Sequence, residues 1–253
     1  MKNYVKAKLR AGGTSIGAWV TIGHPDVAEI MSMFGFECLL FDTEHSPLNV
    51  EILQGMLQAM SYTEKCIPII RVAWNDVALI KRALDIGAYG IVIPWVNSKE
   101  EAINAVRYCR YPPRGVRGYG PRRAALHDPE YVKTADEQIL IIVQVETRKA
   151  VENLDEILSV EGIDVAFVGP WDLSMSLGVF GQFDSRKFRE ALDRVLDACE
   201  RHGVTPGIAC TPENVGEALR RGFRFCTIGS DVSFLKLGAE ISLRSAKGEL
   251  HKT

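Results

Sequence analysis

The chain has 253 residues, 47% hydrophobic and 25% charged, enough to bury a sizeable core as one domain over residues 1–253. A net charge of −2 leaves no electrostatic case for nucleic acid or an anionic membrane surface. No apolar stretch approaches the ~20 residues of a membrane span, and six cysteines without CxxC spacing (Cys38, Cys66, Cys109, Cys199, Cys210, Cys226) read as reduced core thiols of a cytoplasmic protein rather than ligands or disulfides.

The N-terminal MKNYVKAKLRAGG lacks the apolar core of a secretory signal and reads as a short amphipathic helix. Eight β-rich apolar runs follow: 14–22, 38–42, 68–72, 90–96, 139–146, 164–169, 205–209 and 225–229. Most show no polar–apolar alternation, as expected of parallel strands covered on both faces. Amphipathic segments separate them at 27–35, 49–60, 76–87, 98–110, 185–203 and 212–222. Asn49 and Ser98 suit helix N-caps, and Gly35, Gly87, Gly203 and Gly222 suit the residue after a helix. Eight strand–helix alternations predict an α/β fold of the (β/α)8 TIM-barrel type. The rival, an open doubly wound sheet, is expected to carry a Gly-rich phosphate turn after its first strand. IGHPD (22–26) is not GxGxxG. The one long connection, 111–131, lies between the 98–110 helix and the fifth strand.

Chemistry in such a barrel gathers at the C-terminal ends of the strands. Those ends offer Trp19; Asp42, Glu44 and His45; Arg71; Pro94 and Trp95; Gln144 and Glu146; and the turn Gly169–Pro170–Trp171–Asp172. Glu146 and Asp172 end neighbouring strands and supply only oxygen, which suits Mg²⁺, Mn²⁺ or a similar ion with positions left for water and substrate. The plainer alternative is that each caps the helix after it. Arg71 requires an anion: either a substrate oxygen gaining charge or a rim acid, Asp42 or Glu44. His45 is a candidate general base or an inert loop histidine. His24 lies in the loop after the first strand, while His127, His202 and His251 lie off the rim. None of the twelve lysines ends a strand, which removes Schiff-base chemistry. An enolate here would need a metal as its electron sink.

FDTEHSPLN (41–49), IIRVAWND (69–76), RYPPRGVRG (110–118), VQVETRKAVENL (143–154) and GPWDLSMSLG (169–178) together resemble the HpcH/HpaI family of metal-dependent, class II pyruvate aldolases. The likeness is to the 4-hydroxy-2-oxoheptanedioate and 2-keto-3-deoxy-sugar-acid types, in family order over most of the chain. The resemblance implies a lyase that reversibly cleaves a 4-hydroxy-2-oxo acid to pyruvate and an aldehyde through a metal-stabilised enolate. It implies Glu146 and Asp172 as ligands of Mg²⁺ or Mn²⁺, with Co²⁺ or Zn²⁺ as further options. Arg71 would steady the keto or enolate oxygen, with His45 as the base. Asp42 and Asp85 would support that histidine, or the site from an adjoining subunit. Gln144 would lie beside pyruvate. The Gly169–Pro170–Trp171 turn would cradle its carboxylate through the N–H groups of Trp171 and Asp172. A homohexamer built from trimers is expected. Arg122 and Arg123 follow a helix, so they belong near the far end of their own barrel and could reach a neighbour's pocket; a solvated basic loop is the alternative. Trp171 stands where many members carry a small residue, so it could narrow the pocket or stack on the substrate. The GYGPRRA stretch (118–124) also looks like relatives that form citrate from oxaloacetate and an acyl donor. A silent metabolite-binding barrel is the reading outside catalysis.

Overall fold

The structure, a computed structural model, describes residues 2–60, 65–126 and 128–250. His127 and His251 lie outside the described residues. Eight strands close into a parallel barrel in sequence order: β1 (Ser15–Val20), β2 (Cys38–Asp42), β3 (Ile67–Arg71), β4 (Gly90–Ile93), β5 (Leu140–Val145), β6 (Val165–Val168), β7 (Thr205–Cys210) and β8 (Phe225–Ser230). The principal helices between strands are α2 (Pro25–Ser32), α3 (Val50–Ala59), α4 (Val77–Asp85), α5 (Lys99–Cys109), α6 (Tyr131–Gln138), α7 (Arg148–Glu152), α8 (Leu154–Leu158), α9 (Pro170–Ser176), α10 (Arg186–His202) and α11 (Val215–Arg221). α1 (Tyr4–Arg10) precedes the barrel and α12 (Asp231–Leu250) follows it.

The predicted caps do their work. The Asn49 side chain accepts from the Glu51 and Ile52 amides, and Ser98 from the Glu101 amide. Gly203 and Gly222 end α10 and α11 with positive φ, a conformation that favours glycine. Two strands, β1 and β4, stop more than one residue earlier than their apolar runs, for visible reasons. Beyond Val20 the Thr21 and Ile22 amides donate to the Asp231 carboxylate at 2.8 and 2.7 Å instead of to a strand. Beyond Ile93 comes Pro94, which has no N–H, and then Trp95 at φ 56°.

Alternate strand residues face opposite ways, and that period sorts the core into two layers. Leu39, Phe41, Ile70, Ile91, Val143 and Val168 pack outward against helices. Leu40, Ile69, Val92, Leu140, Ile142, Phe167 and Phe225 fill the barrel interior. α1 closes the N-terminal end of the barrel: Val5 and Leu9 join the interior layer, and Lys6 Nζ pairs with Asp164 at 2.8 Å. The next interior-facing positions toward the C-terminal ends are Asp42, Arg71, Gln144 and Gly169, with Glu146 one step further. The strand period thus carries the rim residues to one place. None of the described helices is long and apolar enough to cross a membrane.

Candidate active site

β2 and β3 place Asp42 directly opposite Arg71 in the parallel register. The pair is bidentate: Arg71 Nε donates to Asp42 Oδ1 at 2.9 Å and Nη2 to Oδ2 at 2.7 Å. Both side chains are buried, and the guanidinium lies 4.5 Å from the Trp19 ring centroid. Asp42 Oδ1 also accepts the backbone N–H groups of Glu44 and His45. Burial raises the Asp42 carboxyl, but Arg71 and those amides outweigh it, and the group titrates below the usual carboxylate range. Arg71 therefore has its rim acid, and its Nη1 reaches Glu44 Oε2 at 3.2 Å.

Glu44, read from the sequence as a rim acid and a candidate partner for Arg71, faces the site. Its Oε2 is buried without a hydrogen-bond partner. Burial, then the charges of Asp42 and Asp172, push its carboxyl up against the pull of Arg71. His45 Nε2 lies 3.7 Å from Glu44 Oε2, outside hydrogen-bond reach, and the imidazole is 62% exposed. Its link to Asp42 runs through the backbone alone.

On the facing strands, Glu146 lies just past β5 and is buried. Its Oε1 accepts the Trp95 N–H at 2.8 Å, and its Oε2 accepts from the Gln144 amide. Trp95 holds that amide in the left-handed region, which costs a non-glycine residue ~1–3 kcal/mol. Nothing in the sequence marks Trp95 as a donor, because strain of this kind has no residue signature. The Gln144 carbonyl oxygen is itself buried and unpartnered. Burial pushes the Glu146 carboxyl up to about 7; the charges of Glu44 and Asp172 push the same way, and the Trp95 and Gln144 donors oppose them. Gly169 keeps this corner open: a β-carbon there would stand 3.2 Å from Gln144 Nε2 and 3.4 Å from Glu146 Oε2. Asp172, in the first turn of α9, is exposed at the rim.

Trp171 turns elsewhere. Its indole packs on Phe183 and Phe180, with ring centroids 4.9 and 5.6 Å away, in the segment that leads to α10. It is still 58% exposed. Three predicted residues are not on this chain's rim. Asp85 ends α4, at the barrel's opposite end, where Arg117 Nη2 donates to it at 3.3 Å. Arg123 donates to the carbonyls of Ile86 and Leu57 at 2.7 and 3.0 Å, which commits it to the helix ends of its own chain. Arg122, beside it, is exposed. Of the off-rim histidines, His202 bonds Asp155 at 3.0 Å.

Around Arg71 the site thus gathers four carboxylates, Asp42, Glu44, Glu146 and Asp172, whose donor atoms are all oxygen. Among the described residues, no group of three or more His, Cys, Asp or Glu side chains is arranged to hold a metal.

Comparison with known proteins agrees with this architecture. Residues 15–236 match the model of the HpcH/HpaI aldolase/citrate lyase family. A 4-hydroxy-2-oxo-heptane-1,7-dioate aldolase of Escherichia coli is 37% identical over 246 residues, 95% of this chain and 93% of that protein. An HpcH/HpaI aldolase/citrate lyase family protein from Burkholderia cenocepacia J2315 superposes with a TM-score of 0.92 at 32% identity, covering 97% of this chain and all of that one. A citrate synthase, SbnG, superposes with a TM-score of 0.86 at 27% identity, covering 97% and 98%. With a family match that spans most of its length, the chain belongs to the HpcH/HpaI aldolase/citrate lyase family, as a carbon–carbon lyase of the aldolase type.

Proposed function

We propose that this chain is a divalent-metal-dependent aldolase that cleaves a 4-hydroxy-2-oxo acid to pyruvate and an aldehyde, and runs the reverse addition. The observation that carries this reading is the buried Glu146 carboxyl. It is held by Trp95 and Gln144 and crowded by the negative charge of Glu44 and Asp172. A dication offsets that crowding, and hard oxygen donors suit Mg²⁺ or Mn²⁺, with Co²⁺ or Zn²⁺ as alternatives. Glu44 Oε2, ion-paired with Arg71 but accepting no hydrogen bond among the described residues, and the unpartnered Gln144 Oε1 fit a site built to face a ligand. Glu146 and Asp172 would hold the ion. When bound, it supplies Lewis-acid polarisation of the substrate's keto group.

The chain's own residues supply the rest. The Asp42 clamp fixes Arg71, and an N–H of the guanidinium steadies the oxygen that gains charge as the C3–C4 bond breaks. The turn Gly169–Pro170–Trp171–Asp172 orients the substrate carboxylate through the amides of Trp171 and Asp172, beside Gln144. His45 takes the C4 hydroxyl proton, directly or through water. Among the described residues of its own chain the imidazole has no hydrogen-bonded carboxylate, which supports a partner in a neighbouring copy; Asp85 and Arg122 of such a copy are the candidates. Arg123 is the weaker one, given its carbonyl contacts. A homo-oligomer, in this reading a dimer of trimers, is supported by the exposed apolar side chains of α12 (Leu235, Leu237, Ile241 and Leu243). The six free cysteines suit a reducing cytoplasm.

The test is to supply a 4-hydroxy-2-oxo acid with Mg²⁺ or Mn²⁺ and to follow pyruvate release, alongside oxaloacetate plus acetyl-CoA. Metal-dependent pyruvate release is expected. Citrate formation without pyruvate release would instead favour the reaction named for SbnG. Neither product, with no metal binding, would leave a silent barrel.

A further inference from the structure

The segment between α5 and α6 crosses the end of the barrel opposite the rim, and two arginines pin it from inside. Arg123 takes the helix-end carbonyls already described. Arg117 is different, because its side chain has no exposed surface at all. Its guanidinium lies 4.6 Å from the Tyr111 ring centroid and 5.3 Å from that of Tyr131. Nη2 donates to Tyr131 Oη at 2.8 Å and to Asp85 Oδ1 at 3.3 Å. Nε and Nη1 have no hydrogen-bond partner among the described residues.

This is an uneven ion pair. Burying a cation costs several kcal/mol, and Arg117 is buried completely with two of its nitrogens unbonded. Its carboxylate partner stays 20% exposed at the C-terminal end of α4. A pair kept only for stability gains most when both charges are enclosed and fully bonded. Here the arginine grips one oxygen from within. Gly120 lies beside the other oxygen, where an added β-carbon would stand 3.7 Å from Oδ2. The carboxylate is held from behind and shown outward.

We propose that Arg117 is a positioning residue that fixes Asp85 as an ionised acceptor, aimed from the far end of one barrel at the rim histidine of a neighbouring copy. This rests on the reading above, in which Asp85 completes an adjoining site. The charged and titratable groups around Asp85 are Arg117, Lys81 on α4 itself, and the phenols of Tyr111 and Tyr131. Burial lifts the Asp85 carboxyl above its ordinary value, and Arg117 first, then Lys81, limit that rise. Without Arg117, only Lys81 opposes the burial, so Asp85 would ionise at higher pH.

The experiment measures kcat/KM for aldol cleavage against pH in Arg117→Met, Arg117→Lys, Asp85→Asn and the Arg117→Met/Asp85→Asn double variant. Metal is saturating, and the assembly state is checked by sedimentation. In Arg117→Met the acidic limb should move up by ~1–3 pH units, and Arg117→Lys should recover part of the shift. The double variant should be no slower than Asp85→Asn alone. An Arg117→Met profile lowered equally at every pH, or losses that multiply in the double variant, would overturn the proposal. If Arg117→Met does not fold, Tyr131→Phe removes one of the two bonds to Nη2. It should move the limb the same way by less, and an unmoved limb there would also overturn the proposal. An Asp85→Asn variant with unchanged rate and profile would overturn the underlying reading of Asp85, and the role of Arg117 with it.

Discussion

Replacing Glu146 by glutamine should stabilise the metal-free protein at alkaline pH, although the residue is a proposed metal ligand. Burial and the charges of Glu44 and Asp172 push its carboxyl from 4.5 to about 7. Well below pH 4.5, the group is protonated in both folded and unfolded chains and contributes no difference. As pH rises from there to about 7, the unfolded chain ionises Glu146 freely and the folded chain resists. Stability is therefore lost across that window, and the loss is complete above it. The shift is about 2.5 units (7 − 4.5), and at 1.36 kcal/mol per unit it corresponds to roughly 3 kcal/mol. Glutamine carries no charge, and its carbonyl can still accept the Trp95 N–H. In denaturant melts with a chelator, at fixed protein concentration, Glu146→Gln should match the parent well below pH 4.5 and exceed it by about 3 kcal/mol at pH 8. For a chain of this size that is roughly 6–12 °C in Tm. Saturating Mn²⁺ should reverse the order, because only the parent gains binding energy. A pH-independent difference, or a less stable variant at pH 8, would refute the claim that uncompensated negative charge is concentrated at Glu146.

Arg71→Lys keeps the charge but loses the two-point clamp on Asp42; kcat/KM for cleavage should fall ~10²–10³-fold with unchanged metal affinity, as read by kinetics and calorimetry. Gly169→Ala pushes a β-carbon against Gln144 and Glu146. It should cut turnover by up to ~10²-fold through displacement of groups that must be held closely, with the melting curve nearly unchanged. Asp231→Ala releases the Thr21 and Ile22 amides and the Thr21 hydroxyl. At ~1.5–3 kcal/mol per bond to a charged group it should lower Tm clearly and raise amide exchange at the end of β1. Trp171→Ala removes the indole from Phe180 and Phe183. It should loosen the segment before α10 without widening acceptor choice, measured over a panel of aldehydes of increasing size.

The barrel and most of its rim were legible because both follow from a period of two. Leu40 to Asp42, Ile69 to Arg71 and Ile142 to Gln144 are single steps along the interior face, so a count of apolar runs also places the polar residues beyond them. The missed features depend on tertiary contacts. Trp95 donates to Glu146 because Pro94 ends β4 and the backbone then turns through a left-handed residue. Arg123 reads as a free basic side chain in sequence, but the carbonyls it satisfies lie 37 and 66 residues away. Trp171 looked outward to the substrate, yet two phenylalanines of the next loop give its ring an apolar surface nearby. Long α12 escaped because it follows the last apolar run and so lies between no two of them.

The charge arrangement separates the two halves of the rim. Asp42 is matched by Arg71 and held ionised, so that half is complete without a ligand and serves as a rigid mount for a guanidinium. Glu146 has donors on both oxygens yet is pushed up to about 7, first by burial and then by the like charges of Glu44 and Asp172. A protein gains no stability from such crowding, and the cost falls on the folded state at neutral pH. The same crowding concentrates affinity for a cation at one corner. The neutralised Arg71 half stays free to meet the oxygen of a reacting 2-oxo acid. A carboxylate that only capped α7 would have no reason to be buried among others, so its cost is the argument for its function.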